Sequence, residues 1–354
     1  MTVTRSAMGG GPIRGIRGSR PSGKVTIEHV AEKAGVSIAT VSRVLNGIDK
    51  KVSEETIERV RAVIAEMGYR PTRVGRALRR LESHLVGMLI PDTTNAFYAA
   101  IAHSVEAALR ADSTAMILCN TAENPVVQDA YLDEMEGHLA RGIALLGAVA
   151  SPGLERLVAS AAPLVFINRK PPMPGGGPFV GIDNYAAGRE IGTHFVERNY
   201  QHCAVIHGPM ASSASRERFE GFRDGLAAEG VKLGDRSVHE AALTMSAGYS
   251  AAVELLDHPP LPRAIFCGND LIAYGVHRRC REVGLRVPAD VALFGFDDNP
   301  LNEWLAPWLS TVHVPYEQFG PAAQRVFQRL WDAKPGIRQH QELLPYRLVF
   351  RASA

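Results

Sequence analysis

The side chains able to do recognition chemistry fall into two groups in this 354-residue chain. The first is the run Ser37-Ile-Ala-Thr-Val-Ser-Arg43, where two hydroxyls, Thr40 and Ser42, and a guanidinium stand within two helical turns. Such groups bond base edges or phosphate oxygens, and an arginine fork fits the guanine edge with about 1–3 kcal/mol of discrimination. Ile38 and Ala39 add only shape and methyl contact. In the second group, Asn168, Arg169, Asn269 and Asp297 each close an apolar run of strand length. The carboxyl ends of strands in open α/β sheets are where ligands bind. Bond-making chemistry finds no support: there is no GxGxxG after the first strand, no GxxxxGK[ST], no HExxH and no GxSxG. Cys119, Cys203, Cys267 and Cys280 form no CxxC pair, which argues against a disulfide scaffold or zinc site and suits a reducing cytoplasm. His202 and His207 share one strand and read as sheet packing or solvent-facing side chains rather than a metal site. No catalytic residue, metal or cofactor is expected.

Three kinds of segment must position these groups. Residues 1–23 are rich in Gly, Ser and Pro and carry Arg5, Arg14, Arg17 and Arg20 without an acid, which reads as a flexible basic arm. No apolar core follows the first charges, so a secretory signal is not expected. Over residues 24–70, Thr26, Ser37 and Ser53 each precede a helical pattern, and Gly35, Gly47 and Gly68 close the three. Ile27, Val30, Ala31 and Ala34, then Ala39, Val41, Val44 and Leu45, then Ile57, Val60, Ile64 and Met67 supply the apolar faces. The short interval at Gly35-Val36 suits a helix-turn-helix. Residues 71–83 are basic and too short for a helix stable in water alone, so they read as a linker that orders on binding. Residues 1–83 hold 16 basic against 8 acidic residues, a net +8, leaving −6 for the remainder. A basic head on an acidic body points to a polyanionic partner.

From residue 84 onward apolar strands alternate with amphipathic helices. Strands are predicted over 85–91, 114–120, 144–151, 163–169, 178–183, 202–209, 264–269 and 291–297. Helices are predicted to begin near Phe97, Pro125, Tyr185, Ser215, Ser246, Leu271 and Tyr316. This alternation makes parallel sheets with helices on both faces, and the strands are too many for one ordinary sheet. Two doubly wound lobes follow, with a ligand crevice where their strand ends meet. The longest apolar stretch, Ile143 to Ala150, is far too short to span a bilayer.

Val25-Thr-Ile-Glu-His-Val-Ala-Glu-Lys-Ala-Gly-Val-Ser-Ile-Ala-Thr-Val-Ser-Arg-Val-Leu-Asn46 resembles, almost position for position, the helix-turn-helix of the lactose/galactose/purine repressor (LacI/GalR) family. The resemblance continues through Val52-Ser53, Gly68-Tyr69-Arg70-Pro71 and the linker to Leu78. In the body it includes Pro91-Asp-Thr-Thr-Asn-Ala-Phe97-Tyr98, Val180-Gly-Ile-Asp-Asn184, Arg216-Glu-Arg218-Phe-Glu-Gly-Phe222, Phe266-Cys-Gly-Asn-Asp270 and Phe294-Gly-Phe-Asp297. It implies an all-α DNA-binding head and an α/β, two-lobed, periplasmic-binding-protein-like effector domain of doubly wound parallel sheets. The expected N-lobe is 84–183 with about 314–337, and the C-lobe 184–313 with about 338–354.

The function implied is sequence-specific transcriptional repression by a cytoplasmic homodimer on double-stranded operator DNA. A small effector, a sugar, sugar acid or related metabolite, controls it allosterically. The DNA-contacting residues implied are Thr26, Ser37, Ile38, Ala39, Thr40, Ser42, Arg43, Asn46, Tyr69, Arg73, Arg76 and Leu78. Leu78 would wedge between central base pairs from the minor groove, as apolar side chains of minor-groove binders do. The effector contacts implied are Phe97, Tyr98, Asn168, Arg169, Arg216, Asn269 and Asp297, with Asp183 a structural crossover residue. Arg216 with Arg169 would favour an acidic effector. Thr72 and Gly75 stand where relatives usually carry Asn and Ala, and Leu243 where they often carry an aromatic. The C-terminal tail has no leucine heptad, so a dimer is expected rather than a tetramer. A solute-binding protein is the alternative, but it leaves the helix-turn-helix without a purpose.

Overall fold

The structure is a computed structural model that describes residues 25–45, 47, 52–69 and 83–354. They divide into two compact units, the first within the leading 80 residues and the second running to Ala354.

The first unit holds α1 (Ile27–Ala34), α2 (Ile38–Leu45) and α3 (Glu54–Glu66). Gly35, at φ +65°, ends α1 in the left-handed conformation that glycine adopts without steric cost. Ser37 Oγ then accepts the Thr40 amide at 3.1 Å and starts α2, and Ser53 Oγ accepts the Thr56 amide at 3.4 Å and starts α3. Val30, Ala31, Ala34, Val41, Val44, Ile57, Val60 and Val63 make the buried core. On α3 the inner position belongs to Val63, while Ile64 and Met67 lie half-buried at the margin.

The second unit is built on two parallel sheets. Its N-lobe sheet contains β1 (Leu85–Ile90), β2 (Ala115–Asn120), β3 (Gly142–Leu146), β4 (Leu164–Ile167) and β5 (Phe179–Gly181), joined by β11 (Gln341–Leu343) in the order β11-β5-β4-β3-β1-β2. The helices between these strands are α4 (Ala96–Ala111), α5 (Pro125–Gly137) and α6 (Pro152–Ala159). The C-lobe sheet has β6 (Cys203–His207), β7 (Val238–Glu240), β8 (Ala264–Cys267) and β9 (Ala292–Phe294) in the order β7-β6-β8-β9. Its helices are α7 (Asn184–Glu197), α8 (Ser213–Ala227), α9 (Met245–Leu256), α10 (Asp270–Glu282) and the one-turn α11 (Asn302–Leu305). α7 and α8 approach closely enough that a Cβ on Gly221 would sit 2.0 Å from the Tyr185 carbonyl oxygen.

The chain crosses between lobes three times. It leaves the N-lobe after β5, returns through β10 (Thr311–His313) to α12 (Phe319–Trp331) and β11, and crosses last to β12 (Arg347–Val349), antiparallel to β10. The pairing of Gln341 with Phe179 puts β11 in the N-lobe sheet, so the last crossing follows Leu343 rather than residue 337. The strand expected over 144–151 lies instead at Gly142–Leu146. The three-residue strands β7, β10, β11 and β12 and helices α6 and α11 were not expected. All four cysteines are buried and free, and among the described residues no helix is long and apolar enough to cross a membrane.

Candidate DNA-reading helix and effector cleft

In the head, burial of Val41 and Val44 turns Ile38, Ala39 and Arg43 outward with Ser42, half-buried, beside them. Positions 38, 39, 42 and 43 share one face by the helical i, i+3 and i+4 rule. Thr40 is committed within the chain, since its hydroxyl lies 2.9 Å from Ser37 Oγ. Ser37 is thereby occupied as a cap, and Thr26 stands at the N-cap of α1 with its amide donating to His29 Nδ1 at 3.3 Å. Tyr69 packs half-buried on the head core. Asn46, Arg73, Arg76 and Leu78, and with them Thr72 and Gly75, lie outside the described residues.

The body brings polar side chains together at the carboxyl ends of both sheets. On the N-lobe side, β4 ends in Asn168 and Arg169, both buried. Asn168 adopts φ +64°, and its Oδ1 is buried without a hydrogen-bond partner. Arg169 donates to Glu123 Oε1 at 2.7 Å and to the Tyr98 hydroxyl at 3.3 Å. Burial pushes the Tyr98 phenol above its ordinary value, against the nearby Arg169. Phe97, beside it on α4, belongs to the apolar core, with ring centroids 5.7 Å apart.

On the C-lobe side the central group is Arg218. Buried on α8, it donates from Nε to Asn184 Oδ1 at 2.8 Å and from Nη1 to the Gly268 carbonyl at 2.9 Å, and it lies 3.6 Å above the Phe296 ring. Its Nη1 stands 3.2 Å from Asp297 Oδ1. That approach is an ion pair, and Asp297 Oδ1 has no well-aligned hydrogen bond within the protein. Burial raises the Asp297 carboxyl to about 6, although Arg218 and, further off, Arg169 pull it down. Lys170 joins the lobes directly, its amide donating to Ser213 Oγ at 2.8 Å and its Nζ meeting Glu217 Oε1 at 2.7 Å.

This geometry bears on three expectations. Arg216 donates to the Met210 carbonyl at 3.1 Å, and the arginine paired with Asp297 is Arg218, two residues on. The α8 periodicity carries that signal: Arg218 shares the buried face of Ser215, Gly221 and Phe222, while Arg216 does not. Asn269 spends its Oδ1 capping α10 on the Ile272 amide at 2.9 Å, and its Nδ2 reaches the Leu243 carbonyl at 3.4 Å. Of the two arginines expected to favour an acidic effector, Arg169 already meets Glu123 and Arg216 donates to the Met210 carbonyl, while Arg218, the buried arginine of α8, meets Asp297. Asp183 caps α7 through the Ala186 amide at 2.9 Å, as a structural residue should.

Residues 26–72 match the family described as bacterial regulatory proteins, lacI family, and residues 193–354 match a periplasmic binding protein-like domain. The ribose operon repressor of Escherichia coli strain K12 is 31% identical over 333 residues, 93% of this chain and 99% of that protein. The chain belongs to the LacI family of bacterial regulatory proteins. The HTH-type transcriptional regulator DegA of Bacillus subtilis strain 168 is 32% identical over 93% of this chain and 98% of its own. Among solved structures, a transcriptional regulator CelR–cellobiose complex matches with TM-score 0.71 at 29% identity, over 94% of this chain and 100% of that one. The lac repressor dimer bound to operator shares the fold, with TM-score 0.79 at 24% identity over 93% of this chain and 98% of that one. This LacI-family chain is therefore a DNA-binding transcriptional regulator and not an enzyme.

Proposed function

We propose that this regulator senses a neutral, polyhydroxylated metabolite of sugar size in the cleft between its lobes, with D-ribose the first candidate. The observation that carries the reading is charge compensation: each buried cleft arginine already has a carboxylate, Glu123 for Arg169 and Asp297 for Arg218. An anionic effector would have to displace a carboxylate or lie beside one, whereas a hydroxyl donates to an open acceptor. Asn168 Oδ1 and Asp297 Oδ1 are such acceptors, one on each lobe. The similarity to a ribose operon repressor supports a pentose, and the cellobiose complex of a related regulator supports the sugar class. Phe97, Leu243 and Arg216 then shape the site without supplying its main hydrogen bonds.

The working form is a cytoplasmic homodimer that represses from a near-palindromic operator. Leu301, Trp304 and Leu305 on the segment containing α11 are 44%, 78% and 71% exposed, a large apolar patch for a monomer. A second copy of the chain covers it. In each head Arg43 reads a base edge, supported by Ser42, Ile38 and Ala39. Thr26, Asn46, Tyr69, Arg73 and Arg76 fix the phosphates, Ser37 and Thr40, hydrogen-bonded to one another, hold the start of the reading helix against the DNA backbone, and Leu78 enters the central base step. Effector binding changes the lobe angle, hence the spacing of the two 71–83 segments and the affinity for DNA.

Fluorescence anisotropy on promoter fragments captured by the protein, at fixed salt, tests this reading. D-ribose or another neutral sugar is expected to change DNA affinity at least about tenfold. A response confined to sugar acids or sugar phosphates refutes it.

A further inference from the structure

We infer that Asp270, which lies beneath the cleft at the start of α10, is the positioning residue that aims Asp297 at the effector. This rests on reading Asp297 as an effector-binding carboxylate. Asp297 and Asp298 stand at φ +103° and +48°, two consecutive non-glycine residues in the left-handed region. Side chains rarely tolerate such a backbone, which persists only where its surroundings over-determine it. Three amides record how the turn is held: Asp297 N–H donates to the Val312 carbonyl at 3.0 Å, Asp298 N–H to Thr311 Oγ1 at 3.3 Å, and Asn299 N–H to Asp270 Oδ2 at 2.7 Å.

Asp270 governs two of the three. Its Oδ2 accepts the Asn299 amide directly and also takes Asn302 Nδ2 at 2.7 Å. Its Oδ1 accepts the Thr311 hydroxyl at 2.7 Å. A hydroxyl has one proton, so giving it to Asp270 leaves the Thr311 lone pairs for the Asp298 amide. Asn302 is fixed from its other end by the Tyr274 hydroxyl, which donates at 2.6 Å. The carboxylate reaches this place only because residue 295 is glycine: a Cβ there would lie 2.2 Å from Asp270 Oδ1.

The Asp298 carboxylate is spoken for by Arg351 Nη2 at 2.9 Å and His313 Nδ1 at 3.0 Å. Of the two turn carboxylates, only Asp297 is left for the cleft, and Asp270 decides where it points. An asparagine at 270 would set its own NH2 against the donors of Asn299 and Asn302 or of Thr311.

Hydrogen–deuterium exchange of the full chain, with D270N and the near-isosteric T311V, tests the assignment alongside D-ribose titration by calorimetry. In both variants the amides of residues 297–299, 301 and 302 are expected to exchange at least about tenfold faster while strands 203–207 and 264–267 exchange as in the parent. The D-ribose Kd is expected to rise at least about tenfold. Unchanged exchange of the turn, or acceleration throughout the lobe as a purely structural role would give, overturns the inference. If the parent protein does not bind D-ribose, the sugar reading fails while the exchange pattern still decides the role of Asp270. T311V keeps the test open should D270N not fold.

Discussion

Replacing Arg218 by methionine gives a loss of stability whose size depends on pH, and the structure says which way. Arg218 is buried with Asp297 3.2 Å away, and its other bonds go to Asn184 Oδ1 and the Gly268 carbonyl. Asp297 titrates at 3.8 when unperturbed and at about 6 in the fold, raised by burial against the pull of Arg218. A carboxyl with a raised folded pKa contributes stability that is fully present below the unfolded value and is lost as pH rises through the folded one. Removing Arg218 removes the opposing charge, so the folded value climbs further and the loss extends to higher pH. At pH 5 Asp297 is mostly protonated with or without Arg218. The substitution then costs the hydrogen bonds and the contact with Phe296, about 2 kcal/mol. At pH 8 it also leaves a buried carboxylate without its partner, which brings the total cost to about 3–5 kcal/mol.

The difference between the two pH values is about 2 kcal/mol, which for a domain of this size is about 4–8 °C in melting temperature. Differential scanning fluorimetry at pH 5 and pH 8, each variant referred to the parent at the same pH, measures it directly. Asp270, held up to about 7 by burial and the nearby Asp297, titrates in parent and variant alike and cancels to first order. The double variant Arg218→Met/Asp297→Asn is expected to lose most of the pH dependence. Equal depressions of melting temperature at both pH values would refute the ion-pair account.

Three further outcomes are expected. Arg43→Ala should weaken binding of a captured promoter fragment by about 1–3 kcal/mol and relax base preference at one position per half-site, read by anisotropy against single-base variants of the fragment. Gly75→Ala should favour helix in the 71–83 segment by about 0.8–1.0 kcal/mol, tightening operator binding up to about fivefold; unchanged affinity and unchanged response to effector would refute the view that this segment folds on DNA. Trp304→Asp with Leu305→Asp should move the protein from dimer to monomer in sedimentation velocity, because two charges replace the most exposed apolar side chains of the α11 patch.

Much of the architecture was legible because its long elements repeat a simple pattern. The apolar runs beginning near residues 85, 114, 163, 178, 202, 264 and 291 are strands of the two parallel sheets, as expected. Apart from the eight-residue α6, the elements that escaped are three or four residues long, and the short strands among them owe their existence to partners far away. Gln341-Glu-Leu343 has two exposed residues of three and becomes a strand only because Phe179 to Gly181 offers an open edge. The placement of Asn168, Arg169 and Asp297 just beyond strand ends was legible, because each closes an apolar run. The site was misread where helix phase decides. Arg216 and Arg218 are chemically alike, and only the periodicity of α8 places the second inward. Asp270 could be quoted as part of a motif, but its role needs Asn299, Asn302 and Thr311, which lie 29 to 41 residues away.

On the effector reading proposed above, the cleft solves a conflict between specificity and reversibility. Acceptors that recognise hydroxyls must be buried to exclude water, yet an unpaired buried carboxylate would be driven to protonate. Pairing Asp297 with Arg218 at ion-pair distance, but without hydrogen-bond alignment, meets both demands. The charge is partly neutralised when the cleft is empty, and Oδ1 still has a lone pair for a ligand. On the opposite lobe Asn168 offers an acceptor that carries no charge. An effector bridging the two gains most where both lobes are at the correct separation, so its binding energy depends on lobe angle. That dependence is the differential affinity any allosteric ligand needs, since a ligand equally at home in both states shifts neither. A variant that frees Asp297 from Arg218 should therefore lose regulation along with affinity, whereas a variant at Arg43 should lose DNA affinity and keep its response to the effector.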